Sequence, residues 1–296
     1  MNNMPSSSAY LTDNDFGHLS YFDRFSLAKE LTKAYFLTLF VPLLLLGIFI
    51  ISYGALAISM MSLTPEMLTG TQPYDLNADP GKVLLGSALL LSLFFFILPF
   101  LGVGLKNLIL HYIYGQEPES VTNAILKPGS RIVFFLICFI LWFVINVAYQ
   151  FFSLVLGAIP VLGFLVTLVA TFFYHMVSNC SYSYMADRGL HKGDLTEPVK
   201  VISDPLKIVL AYKRVWAAAY LTIFMMFLLP GFLIGAGFSF IKIGGGLFTP
   251  GILMAVLGGL GMVLIMIFDL FFMTITYKHT SCRAWSQEAV RPRPVD

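Results

Sequence analysis

Charge is scarce in this sequence. Asp, Glu, Lys and Arg make up 11% of its 296 residues, against about 25% in soluble domains. With so few charges the chain cannot cover a water-facing surface in the usual way. Cysteine is scarce too. Three are present, which is no disulfide framework. Cys138, Cys180 and Cys282 are expected as small apolar packing residues. No secretory leader is expected either. The first 20 residues are polar, with Ser6, Ser7, Ser8, Asp13 and Asp15, and lack a basic start followed by a short apolar run.

Reaction motifs are absent as well. There is no H-E-x-x-H for zinc, no G-x-S-x-G nucleophile turn and no Walker A loop. His18, His111, His175, His191 and His279 are scattered and do not pair at a ligand spacing on one helix. No catalytic residue, metal or cofactor is expected, and the chain is not expected to be an enzyme. His111 and His279 fall where helices leave the membrane and are expected to be solvated or to touch headgroups. The net charge of +2 gives no sign of a nucleic-acid partner.

What the chain has in quantity is hydrophobicity, 58% of its residues. About 20 apolar residues span a bilayer as a helix. Ala34–Met61 and Val83–Leu105 carry no Asp, Glu, Lys or Arg. Ile132–Ala186 is also free of them, but is too long for one span and is broken at Gly157-Ala158-Ile159-Pro160. The pattern predicts six spans, at about 34–61, 83–105, 132–156, 160–186, 215–241 and 250–277. Pro250 suits the first turn of the last. Residues 21–285 are expected to form one membrane domain, with a polar tail at 1–20 and a C-terminal tail at 286–296.

Basic residues orient the spans. Sixteen of the eighteen Lys and Arg fall on one side of this pattern, and only Lys82 and Lys242 on the other. Basic residues near span ends stay cytoplasmic. Both termini are therefore expected in the cytoplasm. Tyr182, Tyr184, Tyr212, Trp216, Tyr277 and Trp285 suit the inner aromatic belt. The outer loop, Ser62–Lys82, with Glu66, Asp75 and Asp79, is expected to be irregular.

The cytoplasmic segments share a plan. Phe22–Tyr35 reads as a two-faced helix suited to the headgroup layer. Val121–Leu126 reads as a short counterpart before the third span. Before the fifth, Asp204-Pro205 reads as an N-cap and a first helical position. Glu117-Pro118-Glu119-Ser120-Val121 and Glu197-Pro198-Val199-Lys200-Val201 share E-P-x-x-V, with Gly115 and Gly193 just upstream. These observations predict an all-α fold of three parallel units, each an interfacial helix followed by two spans. That layout resembles six-span prokaryotic membrane-protein families, the YciC-type family among them. The resemblance rests on the span plan, not on a motif. It implies a fold and a bacterial inner-membrane location, and brings no functional residue with it.

Few polar groups lie inside the spans. Asp269 is the one formally charged residue within the six predicted segments. It lies nine residues before Lys278, about 13 Å along a helix. A lone carboxylate near the midplane costs at least about 2.5 kcal/mol. His175 and Asn179 are its candidate partners at similar depth. Two readings stand: a proton- or cation-handling site, or a hydrogen bond that locks the fourth and sixth spans. Asn146 and Gln150, one turn apart on the third span, either line an outward vestibule or bond a neighbouring helix. Pro42, Pro99 and Pro230 interrupt spans. Gly231, Gly235, Gly258, Gly259 and Gly261 offer smooth packing surfaces, and Gly244-Gly245-Gly246 a flexible outer turn.

The expected partners are the lipid bilayer and a cytoplasmic or membrane protein that docks on the inner loops. The function expected first is that of a non-enzymatic scaffold, assembly or regulatory component of a membrane complex. The alternative is a small-solute or ion permease built around Asp269.

Overall fold

The computed structural model describes residues 11–60, 80–116, 118, 120–157, 159 and 162–290. Every regular element among them is helical. α1 (Asp13–His18) precedes α2 (Tyr21–Met60). α3 (Pro80–Ser92) passes through a π turn, Leu93–Ile97, into α4 (Leu98–Ile113). α5 (Val121–Leu126) and a 3-10 turn, Lys127–Arg131, lead into α6 (Ile132–Gly157). α7 (Leu162–Tyr184) runs into a second π turn, Met185–His191. α8 (Lys200–Ala211), α9 (Lys213–Ile243) and α10 (Phe248–Val290) complete the chain. The expectations for Glu66, Asp75, Asp79, Glu117, Pro160, Arg291, Arg293 and residues 1–10 lie outside the described residues.

Five segments are long and apolar enough to cross a membrane: Tyr21–Met60, Gly81–Ile113, Val121–Leu156, Lys213–Ile243 and Phe248–Ser286. They correspond to five of the six predicted spans and equip the chain for multi-pass membrane insertion. The predicted fourth span coincides with α7, helical over 23 residues, which is not among the five. Its second half carries His175, Ser178, Asn179, Ser181 and Ser183.

α2 and α10 have 40 and 43 residues. At 1.5 Å per residue they are about 60 and 65 Å long, twice the hydrocarbon thickness of about 30 Å. The excess lies at one end of the bundle, where α1 packs against α10. At this polar end the core is dense, with Val103, Phe135, Trp216, Phe271 and Tyr277 among its buried residues. Away from it the helices turn Leu44, Ile51, Phe151, Leu154, Leu229 and Leu253 outward. Such faces suit hydrocarbon, not water.

Phe22–Tyr35 is not a separate interfacial helix. It is the first part of α2, and its apolar arc is taken up by aromatics of α10. Phe25 sits 5.1 Å from Phe268 and 5.9 Å from Phe272, ring to ring. Arg24 and Thr32 are buried. Trp216, Tyr184 and Tyr277, expected in the aromatic belt, are core residues instead. α10 continues through Ser286 to Val290 where a tail was expected.

Proline positions explain three local features. The π turn ends two residues before Pro99, whose missing N–H leaves the carbonyl of Phe95 inside that wider turn. Pro205 does not open α8, which starts five residues earlier at Lys200. Pro205 therefore frees the carbonyl of Val201, and Ser181 Oγ donates to that oxygen at 2.8 Å. Pro230 sits inside α9, where α10 approaches it at Gly258.

α5 has the predicted bounds. Ser120 caps it by accepting from the Asn123 N–H. It lies hard against α4. A Cβ on Gly104 would fall 1.9 Å from the Ile125 carbonyl oxygen, and Asn107 Nδ2 donates to the Ala124 carbonyl at 3.0 Å. α8 folds back on α7 in the same manner. Gly115 and Gly193, the glycines upstream of the paired E-P-x-x-V segments, both take left-handed backbone, with φ of 66° and 72°. Each ends one helical run and turns the chain toward the next.

Candidate functional site

The apolar layer brings the predicted polar residues together only in part. Asp269 on α10 is half-buried. Its countercharge is Lys106 on α4, which lies within electrostatic range. Lys106 was expected at the cytoplasmic surface. It is buried instead, and its Nζ donates to the Leu270 carbonyl at 3.5 Å. Asn179 Nδ2 donates to the hydroxyl of Tyr220 on α9, at 2.7 Å. That hydroxyl donates in turn to the backbone carbonyl of His175, also at 2.7 Å. These bonds join α7 to α9 rather than to α10. Tyr220 also lies within electrostatic range of Asp269. The His175 side chain is exposed and meets Tyr174 edge to face at 5.6 Å. Sequence reasoning missed Lys106 and Tyr220. Lys106 was hidden because a lysine at a span end reads as solvated.

Asn146 and Gln150 stand apart from this group. Gln150 Nε2 donates to Asn146 Oδ1 at 3.5 Å, one turn away on α6. Beside them, Tyr149 is stacked on Tyr174 of α7 at 4.6 Å.

An apolar groove of about 770 Å³ lies between α2, α4, α5 and α6. Pro42, Phe49, Phe100, Leu105, Ile125 and Phe139 line it.

The larger polar constellation is at the polar end. Lys278 of α10 is fully buried, with Nζ 3.2 Å from Oδ2 of Asp187, also fully buried. Asp187 comes from the second π turn and accepts from the Tyr277 hydroxyl at 3.0 Å. Lys278 also reaches Oδ1 of Asp13 in α1, at 2.9 Å. Tyr114 donates to Asp13 Oδ1 at 2.6 Å, and Lys192 to Oδ2 at 2.8 Å. Two ammonium groups thus face two carboxylates, so the cluster is neutral. That balance is the condition for burying charge without a large desolvation cost.

The π turn aims Asp187 inward. Arg131 holds the turn by donating to the carbonyls of Gly189 and Leu195, at 2.9 and 2.8 Å. His191 stacks on Tyr114 at 5.2 Å and meets His111 at 5.5 Å. His279, expected to be solvated, is buried and donates from Nδ1 to the Phe16 carbonyl at 2.9 Å.

Electrostatics sharpen this cluster outside the spans. Burial works to raise the Asp13 carboxyl. The hydrogen bonds from Lys192, Tyr114 and Lys278 outweigh it together and hold Asp13 well below the usual carboxylate range. Burial and the carboxylates of Asp187 and Asp13 push the Tyr114 hydroxyl far up, so it stays a donor.

The sequence held one signal for this site. Thr12-Asp13-Asn14-Asp15 carries the spacing of a capping box. Thr12 donates to Asp15 from both backbone N–H and hydroxyl, at 2.6 and 2.7 Å. Among the described residues no group of three or more His, Cys, Asp or Glu could hold a metal ion. Comparison with protein-family models, curated proteins and solved structures finds no match for this chain.

Proposed function

We propose that the protein is a six-span membrane protein with its polar end in the cytoplasm, acting as a non-enzymatic scaffold or assembly component. One observation carries this reading. Helices longer than a bilayer is thick knit both ends of the chain into a charge-balanced body around Lys278, Lys192, Asp187 and Asp13. Crossing a bilayer does not require such a body; holding a defined surface toward a partner does. With Lys106 set apart in the apolar layer, fifteen of the eighteen basic residues fall on this side of the span plan and agree with a cytoplasmic placement, as does the resemblance of that plan to six-span inner-membrane families. Purification from the native membrane in mild detergent, with mass spectrometry of everything that co-elutes, tests the reading. A stoichiometric protein partner is expected. A protein that elutes alone, or with lipid only, removes it.

A second reading rests on Asp269. An acid, a lysine, a tyrosine and an amide meet in the apolar layer, and ionisable groups at that depth mark ion and solute pathways. Under this reading Asp269→Asn leaves folding intact and abolishes proton- or cation-driven flux in proteoliposomes. Unchanged flux, or no flux in the parent protein, ends it.

A further inference from the structure

α1 is held like a bound peptide rather than like a part of the bundle. Six residues cannot sustain a helix alone. Its fold depends on the surface beneath it. Two of its side chains face that surface, Asp13 and Phe16, spaced i and i+3 on one face. Asn14, Asp15 and His18 are exposed, and a Cβ on Gly17 would meet nothing within 4 Å. Leu19, in extended conformation, separates α1 from α2. Ser20 and Asp23 then cap α2 reciprocally, at 3.0 and 3.2 Å. α2 is thus complete without α1.

The surface beneath has two matched features. One is an anion seat. Lys278 Nζ, Lys192 Nζ and the Tyr114 hydroxyl converge on a single carboxylate, at 2.9, 2.8 and 2.6 Å. The other is an aromatic slot. Phe16 is wholly buried, edge-on to Tyr114 at 5.9 Å, and its carbonyl accepts from His279. With Asp13 withdrawn, Lys278 and Lys192 face Asp187 alone. The seat is left with one uncompensated positive charge beside an open apolar slot. A half-buried seat with that imbalance favours an anion.

We propose that this seat is a docking groove for a short helical segment of a partner protein with a carboxylate and an aromatic three residues apart, and that α1 occupies it in cis until that segment displaces it. The proposal rests on the scaffold reading and names the chemistry of the partner. The groove recognises the helix by its acid and its ring, through a charge-assisted anchor and a buried aromatic anchor. α1 sets the threshold. An incoming segment binds more weakly by the fraction of molecules in which the groove is open.

A labelled synthetic peptide of residues 11–21 tests this on full-length protein in detergent micelles. The double variant Asp13→Ala/Phe16→Ala empties the groove without touching its walls. The peptide is expected to bind this variant about tenfold more tightly than the parent, the ratio for a groove closed nine-tenths of the time. A peptide carrying Asp→Ala at the acidic position should not bind. Equal binding to parent and variant, or binding of the altered peptide, overturns the proposal. Should the variant not fold, hydrogen exchange decides on the parent protein. Saturating peptide should speed exchange at the amides of residues 13–18, and unchanged exchange overturns the proposal. Peptide binding without any co-eluting partner would count against the scaffold reading only. A co-eluting partner without peptide binding would count against the groove only.

Discussion

The two ends of the bundle solve the same packing problem differently. In the apolar half the helices meet through glycine and show their large side chains outward. A Cβ on Gly237 would lie 2.7 Å from the backbone of both Gly251 and Ala255, and one on Gly258 would lie 2.8 Å from the Pro230 carbonyl. Backbone approach of this kind gives van der Waals contact without a hydrophobic driving force, as hydrocarbon surroundings require. At the polar end the helices enclose aromatic rings and buried hydroxyls, and α1, the second π turn with Lys192, and α10 join a four-charge cluster. There the side chains, not the backbone, carry the specificity. Stability of the first half should respond to added volume, and of the second to lost partners.

The largest test removes a partner. Lys278→Met leaves the fully buried Asp187 without its countercharge, while Asp13 keeps Lys192. Breaking a buried pair this way costs about 3–5 kcal/mol, read as a lower unfolding midpoint in detergent. Adding Asp187→Leu should restore most of the loss, because the unpaired charge, rather than the missing bond, is the cost. A loss of under about 1 kcal/mol in the single variant, in the range of surface pairs, would mean that water reaches the cluster.

Added volume is the second test. Gly237→Val places a side chain against the backbone of α10. Overpacking of this kind costs about 1–3 kcal/mol. Gly235, one half-turn earlier, has nothing within 4 Å of its Cβ position, so Gly235→Val should have little effect. Equal losses at the two positions would refute glycine-mediated contact between α9 and α10.

These halves were unequally legible in the sequence. Five of the six expected spans were plain because lipid-facing composition is uniform. α5 was plain because Ser120 caps it, and the turn between α9 and α10 because Gly244 takes a positive φ of 74° that favours glycine. Lys278 reads as a span-end marker, since its pairing with Asp187 across 91 positions leaves no local pattern. Lys106 was misplaced for the same reason. The hydroxyls of Thr274 and Thr280 looked polar but bond the carbonyls of Leu270 and Thr276 in their own helix, at 2.6 and 2.9 Å. They pack as small core residues. Of the expected intramembrane group, Asn179 bonds Tyr220 rather than Asp269, and His175 lends only its backbone carbonyl. Tyr220 reaches α7 first.

Acid probes the junction of α1 with the polar end. The Asp13 carboxyl is lowered in the folded protein, so its contribution is complete above its unfolded value of about 4 and is lost as pH falls through the folded value. The Asp13 anchor should hold α1 from neutral pH to about pH 4 and fail only below it. Trp285 lies 4.8 Å from Arg188 and 5.6 Å from Lys192, so its fluorescence reports the step. Asp13→Asn should remove the step. A step between pH 5 and 7 in the parent would place the release on a histidine instead, His279 at the Phe16 carbonyl or His191 on Tyr114.

The smallest effect is the one that most cleanly separates the two halves. Leu154 on α6 is 74% exposed. In water a leucine so exposed would be a liability, and its truncation would be neutral or helpful. In a bilayer its surroundings are hydrocarbon in both the folded and the inserted unfolded state. Leu154→Ala therefore exchanges lipid contact for lipid contact and should change unfolding stability by no more than about 0.5 kcal/mol, the range of surface substitutions. The same truncation at Leu108, wholly buried on α4, should cost about 2–5 kcal/mol through the cavity it leaves. If Leu154→Ala cost as much as Leu108→Ala, the outward face of α6 would be covered by protein. The apolar half would then be one side of an interface within the membrane, not a surface for lipid.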